Sequence, residues 1–453
     1  MAITLSKYPT SPNLVNGYQI YSVSSNQTTQ PQFQFVMDIK TNGGQLIQRI
    51  KQQTNPNNRG LFDIGRILTT QFNPTDEVWK IQNATTNTNC AQQFKVFFGE
   101  EYGTSVSSSV TLYNGAGSAG NPAVTGSFYY FELGGTQDPN NLENWNWQSG
   151  SKYIYTDTQD ETEEEYQFGL TNFDTSSIRD TDYHTISFLN GNFTGQADAA
   201  VTSDYAMDVY IMRVQEYNIT GSLTNTMYWY NADYGSGNGG PRTSPSDLWV
   251  DCYDSQSAST RLIHFPAGPA NFLDDGNPLD PNTTYYTCDF FDQNTSGSLG
   301  SKRWGSYTFN IENNCDYEGT RFAWKNEYGV WDYYNFTLVQ TANTDVERNS
   351  YQQSYFDFGG STATYDKQRR GESQYYNKLT EKYTAESNWL NQSDADNLRE
   401  LFYSANVYVQ SGSEFLPIVI TNTNVVQKKN IVGQKLFKYT AEYQYANNLI
   451  GRR

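Results

Sequence analysis

The sequence predicts a mainly β protein: two β-sandwich regions, then a C-terminal α+β module with one helix on an antiparallel sheet. Three observations predict it. Tyr and Phe occur 36 and 25 times in 453 residues, and aromatic side chains suit a pleated, half-buried surface. Apolar residues alternate with polar ones over short runs, the period of a strand with one buried face. Gly, Asn and Asp punctuate those runs, as tight turns require.

The N-terminal region, 1–103, shows the period directly. In QFQFVMDIK, Phe33, Phe35, Met37 and Ile39 point to one face, with Gln34 and Asp38 on the other. Asn42-Gly43 follows as a hairpin turn. LFDIGRIL (61–68) suggests a short helical turn, and FKVFFGEEY (94–102) a closing strand. Residues 104–204 read as a loop-rich β extension or insertion, containing the acidic run DETEEEY (160–166), which suits a solvated face.

Region 205–345 is expected to be the second sandwich. YAMDVYIMRV, TMYWYNADY, SDLWVDCYD, RLIHFP, TTYYTCDFF and SYTFNIE recur at short spacing with turn residues between them. LDPNTTYYTCDF resembles the L-x-P-x-T-x-Y stretch of fibronectin type III domains through Leu279, Pro281, Thr283 and Tyr285. That likeness implies immunoglobulin- or fibronectin III-like sandwiches. The apolar alternation that follows, Tyr286, Cys288 and Phe290, runs one residue out of phase with it.

In the C-terminal module, 346–453, QYYNKLTEKYTAES reads as a strand. Ser393 reads as the N-cap of a helix with Asp394 and Asp396 in its first turn, and Ala395, Leu398, Leu401 and Phe402 follow at helical spacing. Strands are expected at VYVQ, FLPIVIT and TNVVQKK. KLFKYTAEYQYA places Phe437, Tyr439, Ala441, Tyr443 and Tyr445 on one face and Lys438, Thr440, Glu442 and Gln444 on the other.

Net charge is -18. Phosphate binding needs a basic face, so neither nucleic acid nor an anionic membrane is an expected partner. No run of about 18 apolar residues is present to span a bilayer. The N-terminus lacks the basic start and apolar core of a Sec-type signal peptide.

Motifs with chemistry are few. GAGSAG (115–120) and GSGNGG (235–240) match G-x-G-x-x-G but do not open helices, so no dinucleotide site is expected. Two histidines, His184 and His264, lack a recognisable nucleophile motif or paired cysteines. LDDGNPLD (273–280) fails the calcium-loop pattern. Cys90, Cys252, Cys288 and Cys315 form no CxxC, and fit buried thiols, with a Cys252–Cys288 disulfide as the alternative. The expectation is no enzyme, no cofactor and no metal site.

RFAWKNEYGVWDYYNF (321–336) stands out. RFAWK and VWDYYNF read as a hairpin. Phe322 and Trp324 share one face of the first strand. On the second, Tyr334, Phe336 and Leu338 share one face and Trp331 and Tyr333 the other. Either both faces are covered within the chain, or Phe322, Trp324, Trp331, Tyr333, Tyr334 and Phe336 form an interface with another subunit, since Tyr and Trp carry interfaces.

FAWKNEYGVWD resembles a segment of virion structural proteins of tailed bacteriophages, of the crAss-like type and related phages of Bacteroidota. SANVYVQSGSEFLPIVITNTNVV followed by KLFKYTAEYQYANN is similar to C-terminal modules of phage tail, collar and baseplate components. The opening QFQFVMDIKTNGG with RGLFDIGRIL fits as well. The resemblance implies a multi-copy or ring-forming assembly protein that packs against other virion proteins, is made in the host cytoplasm and is released by lysis. The alternative is a carbohydrate-binding adhesin that stacks a glycan receptor on Trp145, Trp147 and Trp229.

Overall fold

The computed structural model describes residues 3–9, 13–15, 17–72, 78–82, 85–87, 91–113, 124–129, 169–190, 211–230, 261–293, 299–302, 306–312, 319–326, 328–354, 356–357, 360–362, 364–365, 368, 371–422 and 436–447. The protein is mainly β: among the described residues 54% lie in strands and 8% are helical. It forms two compact units. The first comprises Met1–Ile311 and Lys325–Asp332, the second Glu312–Trp324 and Tyr333–Arg453.

The first unit opens with β1 (Thr4–Lys7), β2 (Asn13–Leu14), β3 (Ile20–Ser24), β4 (Gln34–Thr41), β5 (Leu46–Gln52) and β6 (Arg59–Asp63). Helix α1 (Gly65–Thr69) follows, then β7 (Thr85–Asn87), β8 (Ala91–Tyr102), β9 (Thr111–Tyr113) and β10 (Val124–Tyr129). One sheet runs β1-β3-β6. A second runs β2-β10-β8-β4-β5, with β9 on β8. β2 joins β10 in parallel, and the other pairs are antiparallel. The expected alternation of β4 holds: Phe33, Phe35, Met37 and Ile39 are buried together with Tyr21, Phe62, Phe94 and Phe98. On the outer face Asp38 is also buried, because Arg49 Nε and Nη2 clamp its two oxygens at 2.6 and 2.7 Å. The turn into β5 uses Gly44 at φ 89°, which a side chain would strain.

The rest of the unit has β11 (Thr175–Ile178), β12 (Thr185–Asn190), β13 (Ile211–Tyr217), β14 (Leu223–Tyr230) and β15 (Arg261–Pro266). It continues with helix α2 (Pro269–Asp274), β16 (Tyr285–Gln293), β17 (Leu299–Lys302) and β18 (Tyr307–Ile311). The sheets run β11-β18-β16-β13-β14, with β17 on β16, and β12-β15-β7. Their apolar side chains form one core. Tyr286, Cys288 and Phe290 of β16 enter it beside Phe188, Trp229, Phe265 and Phe309, so the out-of-phase alternation is the true inward face.

Glu216 on β13 is fully buried. It accepts hydrogen bonds from Asp280 N (2.7 Å), Thr283 Oγ1 (2.6 Å) and Asn225 Nδ2 (2.8 Å), which fixes the approach to β16. Burial opposes ionisation of Asp289 on β16. Hydrogen bonds from Arg213, Lys302 and Ser306 outweigh it and hold the carboxyl below its usual pKa.

The second unit contains most of β19 (Thr320–Lys325) and β20 (Trp331–Phe336), then β21 (Gln340–Gln352), β22 (Phe356–Asp357), β23 (Thr364–Tyr365) and β24 (Glu372–Glu386). Helix α3 (Gln392–Leu398), β25 (Val407–Ser411), β26 (Glu414–Ile420) and β27 (Thr440–Tyr445) complete it. The main sheet runs β20-β19-β25-β26-β27-β24-β21, and β22 pairs β23. β21 continues unbroken through 345 and 346. Phe437, Tyr439, Ala441 and Tyr443 are buried as the alternation predicts. The helix cap is Asn391 rather than Ser393. The Asn391 side chain accepts from Asp394 N at 2.8 Å, satisfying a first-turn amide two residues earlier than expected. TNVVQKK lies outside the described residues. Among these residues no helix is long and apolar enough to cross a membrane.

Candidate functional site

The stretch 321–336 does fold as a hairpin, and its turn is built by one side chain. Asn326 Oδ1 accepts from Tyr328 N (3.0 Å) and Val330 N (3.3 Å). Gly329 takes φ 74°, the left-handed position such a turn needs. Asn326 Nδ2 donates to Leu170 O at 2.8 Å and to Asp332 Oδ2 at 3.0 Å. The buried Asp332 also receives Asn172 N and Nδ2, at 3.0 and 2.9 Å. Beside it Trp331 meets Trp79 edge-on, with ring centroids 4.8 Å apart, and Lys325 Nζ lies 5.6 Å from the Trp331 ring. The carbonyl of Trp79 accepts from the buried Asn271 of α2 at 2.8 Å. The motif K-N-E-Y-G-V-W-D therefore ties the hairpin tip to two distant segments of its own unit, 170–172 and Trp79, and through Trp79 to α2.

This accounts for the aromatic cost of the stretch, and of the two readings of the hairpin burial supports coverage within the chain. Phe322, Trp324, Trp331, Tyr333 and Phe336 are all buried in the single chain, and Tyr334 is half-buried. Phe322 packs against Phe336 (4.7 Å) and Tyr443 (5.2 Å), and Tyr333 lies beneath Arg321 (5.1 Å). Burial, followed by Asp394 and Glu312, raises the Tyr334 pKa. β19 lies inside the seven-stranded sheet between β20 and β25. Both hairpin faces are thus covered internally, and these six residues leave no open aromatic patch for another chain.

The glycan platform fares similarly where it can be seen. Trp229 is 0% exposed and stacks on Phe272 at 4.7 Å, so it is a core residue and not a binding surface. Trp145 and Trp147 lie outside the described residues, as do GAGSAG, GSGNGG, DETEEEY and Cys252. Cys288 is a buried free thiol whose pKa burial pushes up.

His264 Nδ1 and Ser187 Oγ are 2.8 Å apart, but both side chains are buried. Burial, with Lys325 nearby, lowers the His264 pKa to about 3, so the ring is neutral. The unfolded chain binds this proton near pH 6.5 and the folded chain only near 3. Stability from this group is therefore complete above about pH 6.5 and is lost as pH falls toward 3. His264→Phe should flatten the slope of unfolding free energy against pH over that window, measured by urea titration at each pH. Among the described residues no group of three His, Cys, Asp or Glu side chains is arranged to hold a metal ion.

The feature that does face outward is one the sequence did not single out. β21 pairs β24 from Gln340↔Ala385 to Gln352↔Glu372. β24 pairs β27 only over Tyr383–Glu386. Beyond that, the two strands form a ribbon with no third strand among the described residues. Every residue of β21 is exposed. From Ala342 to Gln352 it extends about 37 Å, at ~3.4 Å per residue. At its root Tyr383 stacks on Tyr443, with centroids 5.4 Å apart, and donates to Glu381 Oε2 at 2.6 Å; the hydrogen bond to Glu381, then burial, pushes its pKa up to about 12. Val346, Leu379, Tyr351 and Tyr375 stand 40%, 41%, 47% and 61% exposed along it. No protein-family model matches the sequence, and a search of curated proteins finds no match.

Proposed function

We propose that the chain is a structural component of a tailed-phage virion, in the tail, collar or baseplate, and that it acts by packing against other proteins. The observation that supports this best is the ribbon. A two-stranded hairpin alone is marginal in water, yet this one is long, paired over thirteen residues of β21 with one register shift at Asn349/Ser350, and exposed at every residue of β21. A neighbouring chain that covers it would supply the missing burial. The resemblance of FAWKNEYGVWD and the C-terminal stretch to virion proteins agrees with that role. The sheet pairs of the first unit are then sandwich modules of immunoglobulin or fibronectin III type. The adhesin alternative loses Trp229, one of its three platform residues, to the core.

The test is genetic and then biochemical. Genes flanking this one should encode portal, terminase or capsid proteins, and mass spectrometry of purified particles should find the chain. Flanking genes for polysaccharide uptake, with the chain absent from particles, would overturn the reading.

A further inference from the structure

We infer that one face of the ribbon docks on the same face of a second copy of this chain. The inference rests on the assembly reading above and names its partner. The two ribbon faces differ. On one, Lys382 Nζ reaches Asp345 Oδ2 at 2.7 Å, and Glu347 sits opposite Lys378. Charge on that face is matched within the ribbon, which suits solvent. On the other face the register pairs are Ala342↔Tyr383, Thr344↔Glu381, Val346↔Leu379 and Arg348↔Asn377. Here an exposed apolar pair, Val346 and Leu379, lies between a cation on the tip side and an anion on the sheet side. Neither Arg348 nor Glu381 has an ion-pair partner among the described residues.

That order is self-complementary under a two-fold axis. Stacked ribbons lie about 10 Å apart, with strands ~4.8 Å apart within each. If the copies run antiparallel about the Val346–Leu379 level, the apolar pairs cover each other. Arg348 of each copy then comes to the level of Glu381 in the other, one strand spacing across. A parallel stack would set Arg348 level with Arg348. Charge therefore selects the antiparallel arrangement, a closed isologous contact.

Docking by the free edge of β21 is disfavoured. Centring an antiparallel self-pairing on Val346 sets Asp345 opposite Glu347 in both chains, and centring it on Glu347 sets that residue against itself. Such like-charge pairs destabilise a sheet and protect an edge. Centred there, the two ribbons overlap over residues 342–350, ~30 Å of length and ~10 Å of width, about 300 Å² per copy. That is well under half of a standard interface, so a single pair is weak and gains strength where many copies are held together.

Sedimentation equilibrium of the full chain at tens to hundreds of micromolar tests this. The wild type should associate reversibly. Arg348→Glu and Glu381→Arg should each weaken association about 10- to 100-fold, because reversal opposes like charges at both symmetric contacts. Mixing the two single variants, or combining them in one chain, should restore it. Both side chains sit on the surface, so thermal melts should stay within a few degrees of wild type. A monomeric wild type, single reversals without effect, or failure of the mixture to recover would each overturn the inference. If the chain is found in particles but the reversals change nothing, self-docking is wrong and the assembly reading stands. If charge-dependent pairing is seen but the chain is absent from particles, the assembly reading is wrong and self-docking stands.

Discussion

Replacing Trp331 by alanine is expected to lower the stability of the chain by about 3–5 kcal/mol, the usual loss for a buried tryptophan truncated in a packed core. The indole is covered by Trp79 at 4.8 Å and by the Lys325 ammonium at 5.6 Å. Its removal leaves a void beside Trp79, whose main chain is held in place by Asn271. Urea unfolding should show a lower midpoint. Tyr375→Ala on the exposed ribbon serves as the comparison and should shift the midpoint little, since that ring is 61% exposed. Equal losses in the two variants would mean that the hairpin tip does not hold its unit together.

The second large effect is expected at Glu216. Glu216→Ala removes the acceptor for Asp280 N, Thr283 Oγ1 and Asn225 Nδ2. A buried donor left unsatisfied costs about 1–3 kcal/mol; the Thr283 hydroxyl is such a donor, the other two are part-buried, and the carboxylate itself leaves a void. Some relaxation or entry of water will satisfy part of the set, so a total of roughly 3–4 kcal/mol is expected. Glu216→Gln keeps one acceptor oxygen and should lose less. If the glutamine variant is as unstable as the alanine variant, the carboxylate's second oxygen carries the interaction, since that oxygen receives both the Asp280 amide and the Thr283 hydroxyl.

What the sequence made legible follows from where burial is periodic. β4 and β27 each bury one face, so their side chains alternate and could be placed from the residues alone. FAWKNEYGVWD was legible as a hairpin because Asn and Gly mark the turn. Its partners were not legible: Leu170, Asn172 and Trp79 are more than 150 residues away, and no local pattern points to them. Aromatic density therefore suggested an outer surface where the chain covers itself. The ribbon shows the converse. QTANTDVERNSYQ has no apolar alternation because neither face is buried, so this strand gave no signal, although its partner QYYNKLTEKYTAES read as one. The helix cap was misplaced by two residues because both Asn391 and Ser393 can cap, and only the backbone decides which reaches an amide.

The way the chain divides between its two units also bears on how it can be made. Residues 325–332 belong with the first unit, although 312–324 precede them in the second. A ribosome that has released residue 311 has therefore not yet delivered Asn326, Trp331 or Asp332. Until it does, Asn172 and Trp79 wait without the partners they have in the finished molecule. The first unit cannot complete its fold before the second has begun to be synthesised, and no single cut yields either unit as one continuous polypeptide.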